Sequence, residues 1–436
     1  MNNRKYYLET FGCQMNVHDS EKMAGVLESE GYIRTYEPKH ADLIVFNTCS
    51  IREKAEQKFY SRLGRIKTVK RNIPHVRIAV AGCIAQQDGT KLTERAPYVD
   101  FVFGPDNLRY IKDIAAETAL QQYMLSENPN LTEELLPSVR QDGVKAWVNI
   151  MYGCDNFCSY CVVPYARGRE RSRPSDDIVR ELIELAGKGY KEVTLLGQNV
   201  NSYHSDCDFP ELLRRAHDVE GIERIRFVTS HPKDLSSTLM YAMRDLKKVC
   251  EHIHLPLQSG STRILRLMNR KYTFDEYRAK IDELRGNIPD ITITSDIIAG
   301  FPQETEEDHA ATLEAMKTIG FDGLFAFKYS SRSGTKAATL PGHLDEEDKS
   351  RRLNEIIALQ NRVTDEKNKR LEGTVQTILV DRPDPKMKSG QVAGRTPANK
   401  IVLVRTGSFY PPGTLLTVRI VRAHRHSLVG ELLHSS

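Results

Sequence analysis

Three cysteines within eight residues constrain this chain more than any other feature. Cys154, Cys158 and Cys161 form a CxxxCxxC run in NIMYGCDNFCSYC, residues 149–161. Residues 146–150 just before it predict a short strand, so the thiols sit in a loop leaving a strand end. Three thiols cannot pair off as disulfides without leaving one over, and a metal site suits them better. Three cysteines hold three corners of a cubane iron–sulfur cluster and leave the fourth iron open. Zinc would ask for a fourth nitrogen or sulfur ligand, and the nearest downstream histidine is His204.

At 436 residues the chain is too long for one ordinary core, and its length suggests roughly two to four domains. No apolar run approaches the ~18–20 residues of a membrane span. The opening MNNRKYYLETFGC lacks the apolar core of a signal peptide. A cytoplasmic protein is expected, with its eight cysteines reduced and open to metal. The net charge of +4 is unevenly spread. Residues 373–436 hold nine Lys/Arg and three acids, +6, which leaves −2 for the rest. A small basic module on a near-neutral body suggests a polyanionic partner, most simply RNA or DNA.

Residues 1–116 alternate strand and helix signals. Strands are predicted at 5–9, 41–47, 77–81 and 101–103, and helices at 20–31 and 52–70. The run ADLIVFN at 41–47 is nearly continuous apolar sequence, as in a strand buried on both faces. The prediction is a doubly wound parallel sheet of flavodoxin-like character. Cys13, Cys49 and Cys83 each follow one of its strands. Ligands bind where the C-terminal ends of parallel strands share an edge, so cysteines 36 and 34 residues apart should meet there. Gly12 and Gly82 beside them allow close backbone approach. A second three-cysteine site is expected. Cys207 and Cys250 have no partners at ligand spacing and read as structural.

Residues 117–144 read as a linker with some helix. Residues 145–372 repeat strand–helix units, with strands at 146–150, 192–196, 224–229, 252–255, 291–298 and 324–328. Helices fit 176–187, 209–217, 236–244, 274–285 and 306–319, and a charged helix at 345–371 closes the region. Six parallel strands make a partial (β/α)6 barrel whose C-terminal face carries function. Residues 373–436 change to short β runs at 374–380, 400–405, 415–421 and 427–432, punctuated by Pro and Gly. A small antiparallel β-barrel fits, a shape common among RNA-binding modules.

The CxxxCxxC loop with Tyr160 before its last cysteine resembles the radical S-adenosylmethionine (SAM) enzymes, and their partial barrel agrees with the predicted one. The resemblance implies that the open iron chelates SAM. It also implies SAM contacts at Tyr160 (adenine), at Gly197, Gln198 and Asn199 after the second strand (amino group), at Gln258 with Ser259 and Gly260 after the fourth (ribose), and at Asp296 and Ile298 on the fifth (adenine and ribose). The family's usual acid after the second strand is absent here. Arg167, Arg169, Arg171 and Arg173 follow the loop; they suit either phosphate clamping or intramolecular ion pairs.

Three thiols on an N-terminal α/β domain, the CxxxCxxC barrel and a C-terminal TRAM-like barrel together resemble the methylthiotransferases. Within them, Thr10-Phe11-Gly12-Cys13-Gln14-Met15-Asn16 is similar to the bacterial enzymes acting on N6-dimethylallyladenosine in tRNA. The implied domains are 1–116 with an auxiliary cluster, a 117–144 linker, a 145–372 radical SAM core and a 373–436 RNA-binding barrel. The implied cofactors are two [4Fe-4S] clusters and SAM. The cluster on Cys154, Cys158 and Cys161 would generate a 5′-deoxyadenosyl radical. The one on Cys13, Cys49 and Cys83 would hold the sulfur that a second SAM methylates. The implied target is C2 of the adenosine at tRNA position 37, beside the anticodon, an unpaired base that can be splayed into a pocket. Expected partners are the tRNA anticodon stem-loop, an electron donor such as flavodoxin or ferredoxin, and sulfur and cluster donors. No membrane association and a monomeric state are expected. The competing readings are the same chemistry on a ribosomal-protein aspartate or on threonylcarbamoyl-adenosine, and a non-catalytic iron–sulfur RNA-binding protein.

Overall fold

The computed structural model describes residues 4–50, 53–128, 136–140, 142–383, 387 and 390–435. Arg52 at the start of the second predicted helix, part of the 117–144 linker, and Asp384, Lys386 and Lys388 lie outside the described residues.

The chain begins with β1 (Lys5–Phe11), α1 (Gln14–Ser29), β2 (Ile33–Arg34), β3 (Leu43–Thr48), α2 (Glu53–Asn72), β4 (Arg77–Gly82), α3 (Cys83–Asp88), α4 (Thr90–Arg95), β5 (Phe101–Phe103), α5 (Tyr110–Ala116) and β6 (Tyr123–Met124). The strands form one six-stranded sheet in the order β2-β1-β3-β4-β5-β6, and every pairing is parallel. The doubly wound expectation is met, with two added edge strands. One of them, β6, comes from the stretch read as a linker, whose described residues contain no helix. Alternation explains the apolar run of β3. Leu43 and Val45 pack with α1 and α5 on one face, and Ile44 and Phe46 pack with α2 on the other.

Helix α1 starts six residues before the predicted position. Cysteine is not a usual cap, so the start is hard to see in sequence. Here Cys13 occupies the N-cap, and Asn16 reaches back to its backbone N–H at 3.3 Å.

The central region follows as β7 (Lys145–Asn149), β8 (Met151–Tyr152), α6 (Val163–Ala166), β9 (Arg171–Ser172), α7 (Ser175–Gly187), β10 (Glu192–Leu196), α8 (Phe209–His217), β11 (Arg224–Phe227), α9 (Ser237–Asp245), β12 (His252–His254), α10 (Thr262–Leu267), α11 (Phe274–Asn287), β13 (Thr292–Ala299), α12 (Glu306–Ile319), β14 (Gly323–Lys328) and α13 (Glu346–Lys369). All six long strands run parallel, in two three-stranded halves, β11-β10-β7 and β12-β13-β14. A single bridge, Ile225 to Val249, joins the halves. Alternate residues such as Val148, Val193, Ile225 and Ile293 pack outward into one core with the surrounding helices. The other set, including Trp147, Leu196, Arg226, His254 and Asp296, faces the lumen.

The C-terminal strands are β15 (Val375–Val380), β16 (Gln391–Arg395), β17 (Ile401–Arg405), β18 (Leu415–Ala423) and β19 (Leu428–Ser435). They close a barrel in the order β15-β16-β17-β19-β18. Four seams are antiparallel, and the fifth, β17 with β19, is parallel. Strand β16 has few apolar residues (Gln391-Val-Ala-Gly-Arg395) and was not predicted. This small barrel docks on the N-terminal end of the partial barrel. Arg226 donates to the carbonyls of Pro397 and Thr396, both at 2.7 Å. Arg224 donates to Thr377 O at 3.0 Å and to Arg395 O. The lumen is thus stoppered at the end away from the cysteine loop. No described helix is long and apolar enough to cross a membrane.

Candidate active site

Each of the first three cysteines leaves a strand end: Cys13 two residues past β1, Cys49 one past β3, and Cys83 one past β4, as the first residue of α3. Parallel pairing brings those ends to one edge. A Cβ built on Gly12 would lie 2.6 Å from Cys49 Cβ, and one on Gly82 would lie 2.4 Å from Thr48 O. Gly82 also has φ +92°, where a side chain is strained. A buried amide network ties the same exits together. Asn16 donates to Thr48 O at 3.1 Å and to Asn47 Oδ1 at 3.2 Å, and Asn47 donates to Asn16 O at 2.7 Å.

A hydrogen bond with Cys49 and the nearby Arg167 cation, opposed by burial, hold the Cys13 thiol down to about 6. Burial pushes the Cys83 thiol up, partly offset by Arg167. Arg167 is buried at 3% exposure. It pairs with Asp19 at 2.8 Å and feels the charges of both Cys83 and Cys13.

The second triad is held by backbone and by the segment after α10. Cys154 N–H donates to Gly168 O at 3.3 Å, Cys161 N–H to Cys158 O at 2.9 Å, and Ser159 N–H to Met268 O at 3.0 Å. Asn156 donates to Cys154 Sγ at 3.4 Å. Asn269 donates to Phe157 O at 2.8 Å, fixing Phe157 at φ +47°. Arg270, also buried, donates to Cys158 Sγ at 3.4 Å, to Tyr272 Oη at 2.8 Å and to Pro256 O at 3.0 Å. Burial and the neighbouring Cys158 push the Cys161 thiol up to about 12.

Both triads therefore present thiols beside a buried guanidinium. Burial raises the Cys83, Cys154 and Cys161 thiols, whereas Cys13 is lowered; a metal would replace the proton on each, since a coordinating thiol is deprotonated outright. The arginine then balances the anionic charge of the assembly. Among the described residues, no three His, Cys, Asp or Glu side chains stand close enough to hold a single metal ion. A cubane spreads its thiolates over three irons, so the donor sets fit clusters better than zinc.

Side chains at the C-terminal rim fit a polar ligand beside the second triad. Buried oxygens of Gln198, Asn199, Asn156 and Ser230 and Nε2 of His231 find no hydrogen-bond partner among the described residues. Asn199 Nδ2 donates to Asp234 Oδ2 at 2.8 Å. His231 Nδ1 accepts from Lys233 N–H at 3.2 Å, which leaves the proton of the neutral ring on Nε2. Burial, with Arg270 and Lys233 nearby, pushes this imidazole down to about 2, so it stays neutral.

The other predicted contacts are distributed as follows. Tyr160 and Ile298 pack in one apolar cluster with Phe301 and Tyr329. Gln258 sits at φ +72° and bonds across to β13 through Asp296 O at 2.8 Å. Asp296 lies 3.4 Å from His254 Nε2 on the lumen face. Gly197 packs against Met151, whose Cγ would be 2.5 Å from an added Cβ. Gln198 Nε2 reaches Met15 Sδ at 2.5 Å, a contact from barrel rim to α1.

The four arginines after the loop all take intramolecular carboxylates: Arg167 with Asp19, Arg169 with Asp155 (2.9 Å), Arg171 with Asp106 (2.9 Å) and Arg173 with Glu181 (2.8 Å). Two of these pairs, those of Arg167 and Arg171, cross to the N-terminal sheet and seat it on the rim. Met15, Tyr152 and Leu196 form a small apolar contact at the same junction, with Cys13 and Trp147 against it. The first triad consequently lies at the domain boundary that Arg167, six residues after Cys161, crosses. Cys207 and Cys250 lie in the barrel wall, away from both.

Sequence reading missed Arg270, Asn16, Asn47 and Asp234. Asn47 left a faint signal, an amide ending an otherwise apolar strand. Arg270 left none, because nothing local distinguishes it from the arginines around it.

Three family models match the chain: Uncharacterized protein family UPF0004 over residues 5–104, the Radical SAM superfamily over 148–316, and the TRAM domain over 369–433. With the fold, these matches define the class, a radical SAM protein with a cysteine-bearing N-terminal sheet and a C-terminal TRAM barrel. Among solved structures, the chain is similar to the radical S-adenosylmethionine methyltransferase TsrM from Kitasatospora setae, with cobalamin and a [4Fe-4S] cluster bound. The TM-score is 0.59 at 14% identity, covering 77% of this chain and 74% of that one, a likeness of fold. Among curated proteins, it is 55% identical over 434 residues to the tRNA-2-methylthio-N(6)-dimethylallyladenosine synthase of Thermodesulfovibrio yellowstonii, covering 99% of this chain and all of the relative. It is 48% identical to the protein of the same name from Caldicellulosiruptor saccharolyticus, covering 99% of this chain and 93% of that one. The chain belongs to the tRNA-2-methylthio-N(6)-dimethylallyladenosine synthase family of radical SAM enzymes.

Proposed function

We propose that this protein is a tRNA methylthiotransferase that converts N6-dimethylallyladenosine at tRNA position 37 to its 2-methylthio derivative. The observation that supports the reading is that Arg167, from the loop after the second thiol triad, reaches the first triad at the domain boundary, in a chain matched over 99% of its length by its relatives. Cys154, Cys158 and Cys161 would hold the radical SAM cluster, and Cys13, Cys49 and Cys83 a second [4Fe-4S] cluster. When bound, these groups and SAM supply the reductive radical chemistry and the sulfur, which no acid–base residue could provide at an unactivated aromatic C–H.

The chain's own residues bind and orient. Arg167 and Arg270 neutralise the two thiolate sets and hold them at fixed places in a low-dielectric site, where such charges interact strongly. Gln198 and Asn199 offer amide oxygens to the SAM ammonium. Asp234, held by Asn199, supplies in space the acid missing after β10. His231 offers an N–H donor that does not titrate. Tyr160 and Ile298 form an apolar seat for adenine, with Gln258 and Asp296 toward the ribose. The contact between Met15 and Gln198 and the ion pair of Arg167 with Asp19 keep the two triads in register. The proposed division of labour follows residues 1–116, 117–144, 145–372 and 373–436. An external electron donor and sulfur and cluster donors complete a cytoplasmic cycle by a monomer.

Mass spectrometry of tRNA nucleosides from cells lacking the gene tests this reading. The 2-methylthio nucleoside should vanish and its N6-dimethylallyl precursor accumulate. Reconstituted enzyme that modifies a ribosomal protein and not undermodified tRNA would overturn it.

A further inference from the structure

A second basic surface lies at the rim of the site, apart from the C-terminal barrel. A groove of about 570 Å³ opens between the N-terminal sheet and the loop after β14, lined by Glu56, Tyr60, Ser61, Arg95, Ser330 and Arg332, of which Arg332 is paired with Glu56. Its two walls both lead to the proposed chemistry. Helix α2 begins four residues after Cys49. The loop 330–332 leaves the strand that pairs with Asp296 and Ile298.

The groove has a fixed platform. The Arg95 guanidinium lies 3.9 Å from the centre of the Tyr60 ring, and the Tyr60 hydroxyl is tied to Asp88. Helix α2 carries seven Lys/Arg and two Glu. Its exposed Lys54, Lys58 and Arg65 recur at helical spacing with Ser61, which lines the groove, so they form one stripe flanking it. None of these three cations, nor Arg95, stands at ion-pair distance from a carboxylate among the described residues. By contrast, much of the positive charge of the C-terminal barrel is spent internally. Arg425 pairs with Asp365 at 2.5 Å and Arg395 with Asp381 at 3.7 Å. Lys400 donates to Asn368 at 2.9 Å. The barrel itself docks at the far end of the lumen.

Strand β14 adds the last feature. Leu324 and Ala326 pack on the core, so Phe325 and Phe327 turn to the opposite, inner face, where they remain 56% and 40% exposed. Phe325 meets His254 edge-on, with ring centres 5.9 Å apart. Two exposed aromatic rings beside a cationic groove suit unpaired bases, which stack on aromatic faces while the backbone follows positive charge.

We propose that this groove is where the RNA stem-loop enters. Lys54, Lys58, Arg65 and Arg95 track its phosphates, and Phe325 and Phe327 receive loop bases, including the apolar N6 substituent. This rests on the reading above that the substrate is tRNA.

The test uses full-length holoprotein and a fluorescent anticodon stem-loop RNA, with affinity measured against salt. The variants are Lys58→Glu/Arg65→Glu/Arg95→Glu, Phe327→Ala, and Arg419→Glu/Arg422→Glu in the barrel. Iron content and melting temperature serve as fold checks. The groove triple variant should bind at least about tenfold more weakly, with its salt slope reduced by about two. Phe327→Ala should weaken binding of the prenylated loop more than the unmodified loop and leave the slope unchanged. The barrel variant should have the smaller effect. Wild-type binding with an unaltered groove variant overturns the groove alone, as does equal competition by polyglutamate, which would indicate an acidic protein partner. No RNA binding by wild type overturns the tRNA reading itself.

Discussion

The two cysteine triads solve one problem in opposite ways. Cys154, Cys158 and Cys161 lie in one loop, shaped by backbone hydrogen bonds within it and by the segment 267–270 beneath. Cys13, Cys49 and Cys83 arrive from three strands and depend on sheet register, on Gly12 and Gly82, and on the Asn16–Asn47 amide network. Each triad has one buried arginine. Arg270 comes from the same barrel as its loop, whereas Arg167 crosses a domain boundary to Asp19. A local motif therefore tolerates domain movement, and a dispersed one requires that the sheet and the interface both be correct.

Mutations that separate the triads should break the comparison most sharply. Replacing Cys154, Cys158 and Cys161 with Ala should abolish formation of 5′-deoxyadenosine and reduce iron from about eight per chain to about four. Replacing Cys13, Cys49 and Cys83 should also halve the iron yet leave 5′-deoxyadenosine formation in place, while methylthiolation is lost. Equal loss of SAM cleavage in both variants, read by liquid chromatography, would dissolve the distinction.

Arg167→Leu should come next. It removes the guanidinium that pairs with the buried Asp19 carboxylate, and breaking a buried pair costs roughly 3–5 kcal/mol. A fall in melting temperature should accompany iron loss confined to the dispersed triad. Arg270→Leu removes a donor to Cys158 and to Pro256 O, which costs about 1–3 kcal/mol; its iron loss should fall on the loop triad. Electron paramagnetic resonance of the two reduced clusters can assign the losses.

The smallest effects should come from the amides. Asn16→Ala leaves Asn47 and Thr48 O with a lost partner and should cost about 1–3 kcal/mol. Asn156→Ala removes one local bond to a sulfur and should cost less. A reversed order in thermal denaturation would mean that the loop, and not the sheet edge, is the more demanding construction.

Much of this architecture is legible in sequence because its signals are local. The apolar run at 41–47 marks a strand buried on both faces, the CxxxCxxC spacing marks a metal loop, and the strand–helix alternation marks two α/β regions. Strands β2, β6 and β16 were not, being two residues long or poor in apolar residues, so that pairing rather than propensity makes them strands. The start of α1 was missed because its cap is a cysteine. The arginines after the loop left two readings open, since a guanidinium suits a phosphate and a carboxylate alike.

By itself, then, the sequence determined the six thiols, the class of chemistry they permit and the order of the three folding units. Residue type and spacing along the chain suffice for those. Only the tertiary structure decided that Arg167 and Arg270 each face one triad, that Asn199 after β10 donates to Asp234, and that the C-terminal barrel stoppers the far end of the lumen. Those partners are separated by between 35 and 171 residues. Contacts of that range are selected by packing and by burial of charge, which leave no periodicity in the chain.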